Sequence, residues 1–139
     1  MKRAFSVIEL IVVIVILGIL AAVAIPKLAA TRDDAEVVKA ATNINILLSD
    51  LRTYYLAREK LSTSASDMSS VVPPVRIKNN VCLKFTKITP DGILENIEIS
   101  DSGLCREVWE FSKFKELKDK IIANGYQLDL RPLSVKFNP

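Results

Sequence analysis

Glu9 is a lone acid at the head of an uninterrupted apolar run. Between Leu10 and Ile25 no side chain carries a charge or a hydrogen-bonding group. A carboxylate at the edge of such a stretch is costly to hold in a membrane, roughly 2.5–3.5 kcal/mol for Asp at a helix centre and less near an end. Such a residue is a functional candidate by default. Two basic residues, Lys2 and Arg3, precede it, with Ala4 and Phe5 between.

The remaining reactive side chains offer little else. There is no histidine, so the commonest general base and a favoured metal ligand are missing. Cys82 and Cys105 are the two cysteines, and they lack the C-x-x-C spacing of zinc or redox sites. In an oxidising compartment they read as a disulfide; otherwise they would be two buried thiols. No nucleotide loop, nucleophile–base pair or metal cluster is visible, and neither enzyme activity, a cofactor nor a metal is expected. The formal charge is +3, and two of the positive residues lie in the first three positions. That is not the basic footprint of a nucleic-acid binder. Lys113, Lys115, Lys118 and Lys120 alternate with Glu110, Glu116 and Asp119, which describes a solvated face. Asp91 and Asp101 fall in turns and lack an alternating calcium-ligand pattern.

The elements that must carry Glu9 are legible. Residues Phe5 to Ile25 give about 31 Å of helix at about 1.5 Å per residue, which matches a hydrocarbon core of about 30 Å. A secretory signal peptide with Ala22-Val23-Ala24 as its cleavage box competes with this reading, as does a plain membrane anchor. After Pro26, Val37, Ala41, Ile44, Leu48, Leu51 and Tyr55 recur at helical spacing and form one apolar stripe. The helix is therefore expected to run from about Phe5 to Arg58.

The order Lys2-Arg3-Ala4-Phe5-Ser6-Val7-Ile8-Glu9-Leu10, with Gly18 and Pro26 further along, closely resembles the N-terminus of type IV pilins and pseudopilins. The resemblance covers about the first thirty residues. It implies a leader over 1–4, cut between Ala4 and Phe5 by prepilin peptidase on the cytoplasmic side. It also implies N-methylation of Phe5, an assembly role for Glu9, and a helix that loosens between Gly18 and Pro26. Ala4 replaces the family's usual Gly but is also small, and Ser6 replaces the commoner Thr. Lys2 and Arg3 fit the positive-inside tendency.

The resemblance further implies an α+β, pilin-like fold. A long N-terminal helix, transmembrane over 5–26 and amphipathic over 27–58, would pack on a small antiparallel sheet in a head over 59–139. The chain would be a pseudopilin or minor pilin in a filament serving type II protein secretion or DNA uptake. Its partners would be prepilin peptidase, other pilin or pseudopilin subunits, an inner-membrane platform with its ATPase, and the lipid bilayer. Nucleic acid is not directly supported as a partner. The protein would sit in the bacterial inner membrane, N-terminus cytoplasmic and head periplasmic or extracellular. The alternative is a membrane-tethered periplasmic binding protein that does not polymerise.

Within the head, Glu59 to Pro74 reads as a loop with a short turn near Asp67 to Val71. From Val75 the period changes to two, with Val81, Leu83 and Phe85 on one face. Thr89-Pro90-Asp91-Gly92 signals a hairpin turn leading to a second strand through Ile93, Ile97 and Ile99. Leu104 to Asn124 reads as helix, broken near Ser112, with Val108, Phe111, Leu117 and Ile121 packing inward and Gly125 as cap. Tyr126 to Phe137 could add a last strand, which Pro132 would confine to an edge or bulge.

Overall fold

The computed structural model describes residues 5–131, and its chain divides into two compact units, 1–35 and 36–139. Helix α1, Val7–Arg58, begins in the first unit and ends in the second. Among the described residues it is the one helix long and apolar enough to cross a membrane. In the first unit its large apolar side chains, from Val7 to Leu28, are all exposed. Pro26 lies inside the helix without ending it, although its ring nitrogen cannot donate to residue 22.

In the second unit α1 buries Val37, Ala40, Ile44, Leu47, Leu48 and Leu51. The stripe is wider than the expected one. Ala40 and Leu47 belong to it, while Ala41 and Tyr55 are only partly buried. A helix packed on a head needs an apolar face about 100° wide, and a single seam of 4–3–4 spacing undercounts that face. The same core takes in side chains from every other element of the head.

The sheet has four strands in the order β1-β2-β3-β4, every pair antiparallel. They are β1 Val75–Ile77, β2 Asn80–Ile88, β3 Ile93–Ile99 and β4 Leu128–Asp129. The alternating run from Val75 is thus two strands and not one. The chain reverses at Lys78-Asn79, where Lys78 takes φ +54° and Ile77 pairs Asn80. The β2–β3 turn forms where expected. Thr89 binds Ile93 through both backbone and hydroxyl, and Gly92 adopts φ +95°, a backbone region that disfavours side chains. A Cβ on Gly92 would also lie 2.9 Å from the Tyr55 ring.

Loop 59–74 carries a single 3-10 turn at Ala65–Asp67, a few residues earlier than the sequence suggests. It is fastened to α1 by Ser69, whose hydroxyl donates to Asp50 Oδ2 at 2.7 Å and accepts from the Val71 N–H. The helical stretch after Leu104 is two helices, α2 Cys105–Glu110 and α3 Ser112–Ala123. Phe111 between them is extended, with φ −60° and ψ 134°. That shift of phase corrects one expectation: Phe111 is 45% exposed, while Trp109 and Phe114 enter the core. Val108 and Ile121 are buried as expected, and Leu117 packs against the core's edge. Helix α3 ends in a Schellman motif, with Tyr126 N–H to Ile121 O and Gly125 N–H to Ile122 O, and Gly125 at φ +70°. This satisfies carbonyls that the helix end leaves unpaired. Of the strand expected over 126–137, Leu128–Asp129 is observed and residues beyond 131 lie outside the described part.

Candidate functional site

The first turn of α1 is built by two residues acting on each other. The Ser6 N–H donates to Glu9 Oε2 at 3.1 Å, and the Glu9 N–H donates to Ser6 Oγ at 3.2 Å. The Ser6 carbonyl accepts the first intrahelical bond, from Leu10 N–H. This is a reciprocal capping box, S-x-x-E, which satisfies two backbone donors that a helix start leaves without partners. Read from the sequence, Ser6 is only a neutral stand-in for Thr. The signal that identifies its role is nevertheless present there, a serine three residues before a glutamate at the edge of an apolar run.

Glu9 thus commits one oxygen to its own helix start. Among the described residues nothing is bonded to its other oxygen, Oε1. Phe5, one turn before Glu9, is 82% exposed. The structure brings Phe5, Ser6 and Glu9 together at one helix end and leaves them open to a partner. Ala4, the other residue of the expected cleavage point, lies outside the described residues, as do Lys2 and Arg3. Gly18 has no atom within 4 Å of where a Cβ would stand. Nothing in the single chain therefore requires a glycine there on packing grounds.

The second expected feature, the cysteine pair, is a disulfide. Cys82 on β2 is bonded to Cys105 at the start of α2, Cα–Cα 5.2 Å apart, and both are fully buried. The Trp109 indole N–H donates to the Cys82 carbonyl at 3.2 Å, so the helix that carries Cys105 is tied to β2 twice. Trp109 is held edge-on to Phe114, ring centroids 6.1 Å apart, a favourable arrangement for aromatic pairs. Asp101, in the turn before α2, lies 3.5 Å from Lys118. At the end of β4, Arg131 chelates Asp129 with contacts of 2.7–3.1 Å. The side-chain hydrogen bonds from Arg131 lower the Asp129 carboxyl from its ordinary value, against the opposing effect of burial.

Residues 1–25 match a family described as the prokaryotic N-terminal methylation motif. The chain is similar to type II secretion system core protein G of Dickeya chrysanthemi, 35% identical over 71 residues, which are 51% of this chain and 46% of that protein. It is likewise 34% identical over 71 residues to core protein G of Klebsiella michiganensis, covering 51% of this chain and 50% of the relative. Core protein G of Escherichia coli K12 is 32% identical over 84 residues, 57% of this chain and 58% of the relative. The chain thus spans about half the length of the curated relatives it matches. No solved structure matches it. The chain thus carries a methylation motif at its start, on an apolar helix long enough to cross a membrane, and is similar over about half its length to type II secretion system core proteins G.

Proposed function

We propose that this protein is a structural subunit, a pseudopilin or minor pilin, of a filament assembled from the inner membrane and serving type II protein secretion. The observation that carries the reading is the Glu9 carboxylate, fixed at the start of the apolar helix with one oxygen unbonded among the described residues. Prepilin peptidase cuts between Ala4 and Phe5 and methylates the new amine. In the filament Glu9 of one subunit then neutralises the Phe5 amine of a neighbour. Removing one partner of a desolvated ion pair costs about 3–5 kcal/mol, so the pairing selects the axial register of neighbouring stems. The relatives' names support secretion over DNA uptake. The buried disulfide supports a head exposed to an oxidising compartment, hence an N-terminus on the cytoplasmic side. Other pseudopilin subunits, the assembly platform and its ATPase are the partners this role requires.

Intact mass and N-terminal sequencing of the native protein test the processing: the expected first residue is methylated Phe5. A start at Met1 or at Ile25 would refute it. Glu9→Ala is expected to insert and be cleaved normally yet be absent from sheared filaments. A protein found only as a membrane monomer, whether or not the assembly platform is present, would instead be a tethered binding protein.

A further inference from the structure

An open groove of about 1220 Å³ lies within the head, between the outer face of α1, helix α3 and strand β4. Leu56 and Leu117 are among its apolar walls, and Leu56 is 64% exposed. Arg52 from α1 and Lys120 from α3 also line it. Among the described residues neither of these two side chains has a partner. The other cations of the lining are committed, Lys113 to Asn45 Oδ1 at 3.1 Å and Arg131 to Asp129. Against Glu116, the remaining acid of the lining, the groove keeps a surplus of positive charge.

The same head carries the opposite combination close by. Phe111, extended between α2 and α3, is a large aromatic side chain left exposed. Its ring centroid stands 6.4 Å from that of Phe114, which is a wall of the groove. Glu107 and Glu110, just before it on α2, are exposed and have no partner among the described residues. Phe111 is thus an apolar anchor with an acidic rim, and the groove is an apolar slot with a basic one. Buried aromatic anchors dominate interface energies, and complementary charge around them fixes register.

The offset between anchor and slot limits how they can meet. The Lys113–Asn45 bond places the start of α3, and Phe111 with it, near the Asn45 level of α1. Arg52 lies seven residues further along α1 and Lys120 seven further along α3, about 10 Å in each helix at about 1.5 Å per residue. The anchor therefore stands well short of the basic part of its own groove.

We propose that a second copy of this chain fills the groove. Phe111 of one copy seats between Leu56 and Leu117 of the next, with Glu107 and Glu110 beside Arg52 and Lys120. The inference rests on the filament reading above, in which both copies enter the membrane by the same end of α1 and so run parallel. Parallel copies meet in this way only when the one supplying Phe111 is advanced by about 10 Å toward the C-terminal end of α1. The contact joins two different surfaces, so every copy keeps a free anchor or a free groove for another. Such a contact propagates as an open helical array unless its rotation closes a ring. The head then contributes to register independently of Glu9.

Benzoylphenylalanine in place of Phe111, in the full chain and irradiated in sheared filaments, tests this. The expected photoproduct joins two chains, from residue 111 to residues 48–56 or 117–124, and mixing isotope-labelled with unlabelled chains separates it from links inside one chain. Arg52→Glu with Lys120→Glu is expected to lower its yield about tenfold or more, and so is Glu107→Lys with Glu110→Lys. The two pairs of reversals combined should restore it to within about twofold of the parent, a rescue that loss of folding cannot produce. Should the benzoylphenylalanine protein fail to fold, the filament yields of the charge variants give the same pattern of loss and rescue. Normal filaments without the link, links only within one chain, links outside the groove, or reversals without effect would each overturn the proposal and leave the filament reading standing. Absence of filaments from the parent protein itself would instead refute that reading, and the staggered contact with it.

Discussion

Replacing both cysteines, Cys82→Ala with Cys105→Ala, removes a covalent closure between residues 23 apart in sequence. On the chain-entropy relation, closing a loop of this length lowers the entropy of the unfolded chain by about 11 cal/mol/K, which is about 3.4 kcal/mol at 25 °C. That is a factor of about 300 in the folding equilibrium. A domain of this size has about 5–15 kcal/mol in all, and at about 4–5 °C per kcal/mol the melting temperature should fall by about 15 °C. The assay is near-UV circular dichroism of the full chain in detergent micelles. Trp109 is the single tryptophan, it is 3% exposed, and it bonds the Cys82 carbonyl. Its signal therefore reports the head alone and is blind to the apolar half of α1. Below the transition the double variant should keep the native Trp109 spectrum, because the relation places the loss in the unfolded chain. A change under about 1 kcal/mol would refute the reasoning, and so would a Trp109 spectrum already lost at low temperature.

Two further substitutions test contacts that lie outside the sheet. Ser6→Ala should cost the start of α1 about 1 kcal/mol, read as about fivefold faster amide exchange at Glu9 and Leu10, while Ser6→Thr should restore native rates. Equal rates in all three proteins would remove the capping box. Asp50→Ala leaves the buried Ser69 hydroxyl without its carboxylate acceptor and should cost about 1–3 kcal/mol, with cleavage by added protease appearing first in loop 59–74. A variant as stable and as resistant as the parent would mean that this bond does not fasten the loop.

Much of this fold is legible because its signals are local. Helix periodicity delimits α1, Thr89-Pro90-Asp91-Gly92 fixes one hairpin, and Gly125 marks the end of α3. What escapes is decided at a distance or by a change of phase. The Lys78-Asn79 reversal has no glycine or proline to announce it, and the pairing of Val75–Ile77 with β2 supplies the reason to turn. Asn96 takes φ +56° inside β3, and the neighbouring Ile97 N–H goes to the Tyr126 carbonyl at the end of α3. Only the packed head can supply that acceptor. Continuing one helical phase through residue 112 places Phe111 inward, whereas the extended residue resets the phase and sends Trp109 and Phe114 inward. At the functional site the opposite holds. Glu9 stands out as an acid at the edge of an apolar run, Phe5 only through the resemblance, and the Ser6–Glu9 box requires only that a serine be read as an acceptor.

That box gives Glu9 a capping duty beside the proposed pairing, and a single substitution can separate the two. Inside lipid no water is available to satisfy the free N–H groups of a helix start, and each unsatisfied group costs several kcal/mol. A glutamate retained there is therefore explained in part by capping alone, without any neighbour. Glutamine serves at the third helical position of a capping box as glutamate does, but it carries no charge to meet an amine. Glu9→Gln should accordingly keep slow exchange at the Ser6 amide and still fail to enter filaments, whereas Glu9→Ala should lose both. Full incorporation of Glu9→Gln would reduce Glu9 to a cap and remove the ion pair from the account of assembly. Fast exchange at Ser6 in Glu9→Gln would show instead that the cap itself depends on the charge.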